Sequence, residues 1–137
     1  MSEFWDWAVA VYARPSVAEA CLDLQDTYGQ NVPLLLWAAW RGGDVAAAVA
    51  LARQWEDEVV APLRGVRRRL KGRDGADSLR EQVKAVEREA ERMLMAALAA
   101  LAGPGADGRA LAAVAAAWGA APPPEALERL HAAITAA

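Results

Sequence analysis

Apolar positions recur along this chain every three or four residues, and no stretch sustains an apolar–polar alternation. That period belongs to amphipathic helices rather than strands. Phe4, Ala8, Val11 and Tyr12 form the first stripe, with Ser2 placed to cap it and Glu3 and Asp6 in its favourable first turn. Pro15 sets its limit. Ser16-Val17-Ala18-Glu19 reads as a capping box, opening a second helix that runs to Gly29, a natural C-terminal stop. The inward face of that helix is either Ala20, Leu24, Thr27 and Tyr28 or Val17, Cys21 and Leu24. After Asn31 and Val32, Pro33 suits a first helical position. Leu34, Leu35, Leu36, Trp37 and Trp40 then surround a short helix with apolar side chains, which predicts burial at the centre.

Gly42-Gly43-Asp44 breaks that helix and caps the next. Over residues 45–71 one stripe holds Ala52, Trp55, Val59, Leu63, Val66 and Leu70, and Pro62 inside it predicts a kink or a split. A turn over 72–77 follows, with Asp77 or Ser78 as the next cap. Leu79, Val83, Val86, Ala90, Met93, Ala97 and Ala100 then alternate four-three, a heptad seam suited to a partner helix. The two elements, about 27 and 25 residues long, would each reach roughly 40 Å. A short turn between helices of matched length implies an antiparallel hairpin.

Gly103-Pro104-Gly105-Ala106-Asp107-Gly108 marks a boundary. Beyond it lie helical patterns over 109–118 and, past Pro122-Pro123-Pro124, over 125–135. Both are alanine-rich and bury little apart from Leu111, Val114, Trp118, Leu127, Leu130 and Ile134. The expectation is an all-α fold: short N-terminal helices on a kinked long hairpin, then a weakly held C-terminal pair. A core domain would span 1–103, with 104–137 as an alanine-rich helical extension, either part of the same domain or loosely attached.

Composition agrees. The 137 residues suit one domain, and they include 35 alanines, one isoleucine and two threonines. Arginine outnumbers lysine 13 to 2, which with the alanine excess suggests a GC-rich genome and weakens arguments from arginine choice alone. Glu3 and Asp6 sit where a signal peptide would need a basic start. The apolar runs over 32–40 and 93–102 fall far short of the roughly 20 residues that span a bilayer. A lone cysteine, Cys21, excludes an intramolecular disulfide. These readings predict a soluble cytoplasmic protein with no membrane contact.

Charge changes the picture most. Residues 1–62 carry a net −6, residues 63–73 a net +6 and residues 74–137 a net −3. On a helix, Arg64, Arg67, Arg68 and Lys71 fall at i, i+3, i+4 and i+7 and share one face, with Arg69 and Arg73 flanking them. Either carboxylates such as Asp6, Asp23 or Asp26 dock on that face, or an external anion does. Five of the six tryptophans, Trp5, Trp7, Trp37, Trp40 and Trp55, precede the basic island. Trp5, Trp37, Trp40 and Trp55 read as core, with two of them alternatively lining an apolar pocket; Trp7 and Trp118 read as exposed contacts.

Other chemistry is poorly supported. His131 is the single histidine and Cys21 has no second thiol, so no zinc set can be assembled, and no other cofactor is expected. Cys21 shares its helix with Glu19, Asp23 and Asp26, which disfavour a thiolate, so it reads as a small buried residue. No phosphate-binding loop or nucleophile elbow is present.

One resemblance is carried by Phe4-Trp5-Asp6-Trp7-Ala8, Val11-Tyr12-Ala13-Arg14-Pro15 and Ala20-Cys21-Leu22-Asp23-Leu24-Gln25-Asp26. It continues through Leu34-Leu35-Leu36, Trp40, Trp55, Val59-Val60, Pro62-Leu63-Arg64, Arg67-Arg68 and Leu70-Lys71. Over residues 4–71 the chain resembles a small bacterial, proteobacterial-type family of helical proteins described only as a domain of unknown function. Ser16 and Pro33 replace the glycine and asparagine expected there, both turn positions. The resemblance implies a shared helical fold and supplies no activity.

The functional expectation is a non-catalytic interaction or regulatory module. It would meet an acidic protein partner through Arg64, Arg67, Arg68 and Lys71, with Trp7 or Trp55 as an apolar anchor. The alternative is a binder of, or enzyme acting on, an amphipathic anionic small molecule in a tryptophan-lined pocket, which predicts a pocket joining Trp55 to Arg64. RNA association is a weaker reading, because the chain as a whole is acidic at net −3. Self-association through the seam from Leu79 to Ala100 is a separate expectation.

Overall fold

The computed structural model describes residues 3–104 and 109–136. Among them the chain is helical, in the order α1 (Glu3–Tyr12), α2 (Pro15–Tyr28), α3 (Val32–Trp40) and α4 (Val45–Trp55), followed by a π-helical turn (Glu56–Val60). Then come α5 (Ala61–Leu70), α6 (Asp77–Ala99), α7 (Arg109–Trp118) and α8 (Pro124–Thr135). The fold is all-α, and among the described residues no helix is long and apolar enough to cross a membrane.

Local stops act where their chemistry says they should. Gly29 adopts φ 64° and closes α2, and its N–H reaches Gln25 O. The Asn31 side chain accepts from Leu34 N–H to cap α3, and Asp44 does the same for α4 from Ala47 N–H. The expected Ser2 cap lies outside the described residues, and two other expected caps differ. The Ser16 capping box does not form, because Pro15 takes the first helical position and α2 begins two residues earlier, with Arg14 at its N-cap. Neither Asp77 nor Ser78 caps α6; Ala76 holds that position without a side-chain bond, and the turn closes on the backbone through Ala76 N–H to Arg73 O at 3.2 Å.

Pro62 neither breaks nor splits its helix abruptly. The chain widens just before it, where Ala61 N–H donates to Glu56 O five residues back. A wider turn absorbs the clash and the missing N–H that proline brings. Trp55 pins the junction to the facing helix by donating Nε1–H to Ala90 O at 2.8 Å. α6, at 23 residues, is about 35 Å long and returns alongside α5.

The core surrounds α3, in which Val32, Leu34, Leu35, Leu36, Trp37 and Ala38 are all buried. From α2 come Val17, Ala20, Cys21 and Leu24, a blend of the two faces anticipated for it. From α6 come Ala90, Leu94, Met95 and Leu98. Leu79, Val86 and Met93 of the anticipated seam stay exposed, while Ala90 is buried and Val83 and Ala97 are half-buried. The alanine-rich pair is held at the exceptions named from the sequence: Leu111, Val114, Trp118 and Leu130 are buried in the same cluster as Phe4 and Trp37. Polar clasps add to this. Arg14 Nη1 donates to Ile134 O at 2.9 Å and to Ala136 O at 3.1 Å, a cation at the C-terminal end of α8.

Cys21 is fully buried, and burial pushes its thiol up to about 12 from an ordinary 9.0. Folded, the thiol keeps its proton to about 12; unfolded, it ionises from 9. The group therefore subtracts from stability as pH climbs from 9 toward 12. Urea unfolding between about pH 8 and pH 11 should give a steeper alkaline fall for wild type than for Cys21→Ala. Parallel curves would show that the thiol ionises as readily folded as unfolded.

Candidate functional site

The basic island occupies α5 and the turn after it. Arg64, Arg67 and Arg68 share one side of that helix, as their spacing requires. Lys71 does not join them: the helix ends at Leu70, and Lys71 turns into extended backbone at φ −60°, ψ 125°. The facing helix carries a second stripe at the same spacing, Lys84, Glu87, Arg88 and Glu91. With the α2–α3 connection and Trp118 they enclose a cleft of about 730 Å³.

Two of the cations are neutralised within the chain. Arg64 Nη1 meets Glu56 Oε1 at 3.1 Å, and Arg67 Nε meets Glu87 Oε2 at 2.6 Å. The anticipated partners Asp6, Asp23 and Asp26 are not the ones used. Glu56 stands two turns before Arg64 across the π-helical turn, and the packing of α6 on α5 brings Glu87 to Arg67. Lys84 turns to Glu81 on its own helix at 3.1 Å. Arg68 and Arg88 make no ion pair among the described residues, and both are exposed. Partly exposed pairs of this kind contribute at most about 1 kcal/mol each, so an incoming anion can compete for either arginine.

Carboxylates gather toward the other end. Burial raises the Tyr12 phenol above its ordinary 10.0, and the charges of Cys21, Glu91 and Asp26 add to that. Burial raises the Glu91 carboxyl too, although part of the side chain still faces solvent and tempers the effect. Among the described residues no three of His, Cys, Asp and Glu converge to hold a metal ion.

Trp5, Trp37, Trp40 and Trp55 fall in or against the core, as expected, whereas Trp7 and Trp118 are not the exposed contacts anticipated. Trp37 is fully buried, while Trp5, Trp7, Trp40 and Trp55 are half-buried against the core. Trp118, anticipated as an exposed contact, is buried: its indole donates to Gly29 O at 2.9 Å, and the Arg53 guanidinium lies 3.9 Å over its ring and donates to its carbonyl. Trp118 lines the cleft, whereas Trp55 and Trp7 do not. The anticipated pocket therefore reaches Arg64 from Trp118 instead of Trp55. Lys84, Glu87, Arg88, Glu91 and Gln30 went unremarked in the sequence. A four-residue charged stripe on α6, matching the one on α5, was the available signal.

No curated protein and no solved structure matches the chain. A family model does match, over residues 3–98, beyond the 4–71 on which the resemblance rested and through the α6 stripe. The chain belongs to the family described as Protein of unknown function (DUF2390).

Proposed function

We propose that the chain is a non-catalytic cytoplasmic interaction module whose α5–α6 hairpin engages an acidic surface of a protein partner. One observation carries the reading. From Arg53 to Glu89 a single residue, Ala76, is buried, so α5 and the first half of α6 extend from the core as an arm. Helices that bury so little on their own chain have a surface to spare for another. The arm bears the net +6 island, in which Arg68, Lys71 and Arg73 have no ion-pair partner among the described residues. It also exposes Val66, Leu79 and Val86. Those apolar side chains are better anchors than Trp7 or Trp55, which pack against the core. Arg64 and Arg67 would join by exchanging Glu56 and Glu87 for the partner's carboxylates.

The test is a tagged pull-down from source-cell lysate with nuclease present. Wild type should recover a distinct protein that the Arg64→Glu/Arg67→Glu/Arg68→Glu/Lys71→Glu variant loses. Arg68→Glu/Lys71→Glu, which breaks no internal pair, should weaken recovery with the denaturation midpoint unchanged. Equal recovery by all three sinks the reading.

A further inference from the structure

The cleft at the base of the arm carries a second, independent inference. Among the described residues, two cations and two carboxylates that line it make no ion pair: Arg68 and Arg88, Asp26 and Glu91. They have not collapsed onto one another, although Arg88 and Glu91 sit three residues apart on one helix, where such pairs commonly form. The signs are also sorted. Asp26, beside the α2–α3 connection, and Glu91, nearest the buried half of α6, line the core end of the cleft, while Arg68 lies toward the turn end of the hairpin, past Arg67 and its partner Glu87.

Two further features mark the walls. Gln30 lines the cleft at 4% exposure and commits its Nε2 to Ala115 O and Ala120 O, both at 3.2 Å. Its Oε1 is left with no donor among the described residues. A buried acceptor without a partner carries a desolvation cost that an incoming N–H would relieve. Glu56 and Val60 of the π-helical turn form part of the wall, and such turns recur at functional sites. The volume of this half-open cleft, about 730 Å³, lies in the range of small-molecule sites.

We propose that this cleft binds a small zwitterion, holding its anionic group on Arg68 and Arg88 and its ammonium group between Asp26 and Glu91. Arg88 and Glu91 stand one turn apart on α6, so a ligand that meets both carries opposite charges joined by a short spacer. That excludes simple inorganic anions as the preferred ligand. It favours a short aminoalkyl phosphate or an amino acid with a spacer between its charges.

The isotope-labelled full chain, titrated at millimolar concentrations with matched probes, tests this. O-phosphoethanolamine and γ-aminobutyrate carry both charges; glycerol 3-phosphate carries the anion alone and ethanolamine the amine alone. At least one zwitterion should give saturable shifts at the Arg68 and Arg88 Nε–H groups and at Gln30, about tenfold tighter or more than either single-charge probe. Which of the two zwitterions binds separates phosphate from carboxylate. Glu91→Gln should reduce the zwitterion to the level of the anion alone, and Arg88→Gln to that of the amine alone. If glycerol 3-phosphate binds as well as O-phosphoethanolamine, the cleft is only a basic surface and the proposal is wrong. Absence of saturable shifts with both zwitterions overturns it equally. The arm's docking role stands or falls separately: the titration needs no partner, and Glu91→Gln and Arg88→Gln, which empty the cleft, leave Arg64, Arg67, Arg68 and Lys71 in place for the pull-down.

Discussion

Trp37→Ala is expected to remove about 3–5 kcal/mol of stability, the range for deleting a large aromatic ring from a packed interior. Trp37 is the largest fully buried side chain, at the middle of α3, around which the rest of the core is arranged. Against a typical stability of about 5–15 kcal/mol, that loss leaves little margin. The indole carries its own weakness, because its Nε1–H is buried without an acceptor. Trp37→Phe keeps an aromatic ring and deletes that orphan donor, so it should cost far less, under about 2 kcal/mol. Urea unfolding followed by circular dichroism, which does not depend on the lost fluorophore, measures both. Similar midpoints for the Ala and Phe variants would contradict a core centred on this ring.

The second large effect falls on a glycine. Gly43→Ala is expected to cost about 3 kcal/mol or more, since a methyl group there adds steric overlap to backbone strain. Gly43 sits at φ 146°, a conformation that residues with a side chain rarely adopt. Its neighbours are backbone and cannot swing aside: the carbonyl oxygen of Leu101 and the nitrogen of Gly103 occupy the space a Cβ would need. An isolated antiparallel bridge joins Gly43 to Ala102, and Gly103 N–H donates to Gly42 O at 2.7 Å, so the α3–α4 turn is clasped to the end of α6. The variant should open that clasp and speed hydrogen exchange at Gly103. Gly29→Ala is the control. Its φ of 64° is also left-handed, but nothing lies within 4 Å, so only the conformational penalty of about 1–2 kcal/mol applies. Equal losses at the two positions would show that strain alone, without the close approach, sets the effect.

The candidate site was half legible. Spacing put Arg64, Arg67 and Arg68 on one face, because four-residue steps on a helix are local geometry. Lys71 left that face because the helix stops at Leu70. Staying on it would have needed a further helical turn, and Gly72, at φ 75°, ends any such continuation. The partners were not legible. Glu87 reaches Arg67 only through the register of α6 on α5, set by the packing of Trp55 on Ala90 and of Leu94 and Leu98 in the core. Trp118 was misplaced for a related reason. Its alanine-rich surroundings look solvent-facing, yet Gly29, Arg53 and Gln30, all distant in sequence, clasp the end of its helix.

The sequence by itself determined the helical class, the count of helices before the hairpin and most of their limits. Period, glycine, proline and short capping side chains act over a few residues, and no distant contact is needed to read them. Only the tertiary structure decided that Pro62 is absorbed by a π-helical turn, which carboxylates neutralise Arg64 and Arg67, and that a cleft opens beside Arg68 and Arg88. Those outcomes depend on how far one helix slides along another. A shift of one turn, about 5.4 Å, would exchange every partner across the hairpin while leaving the pattern along each helix unchanged.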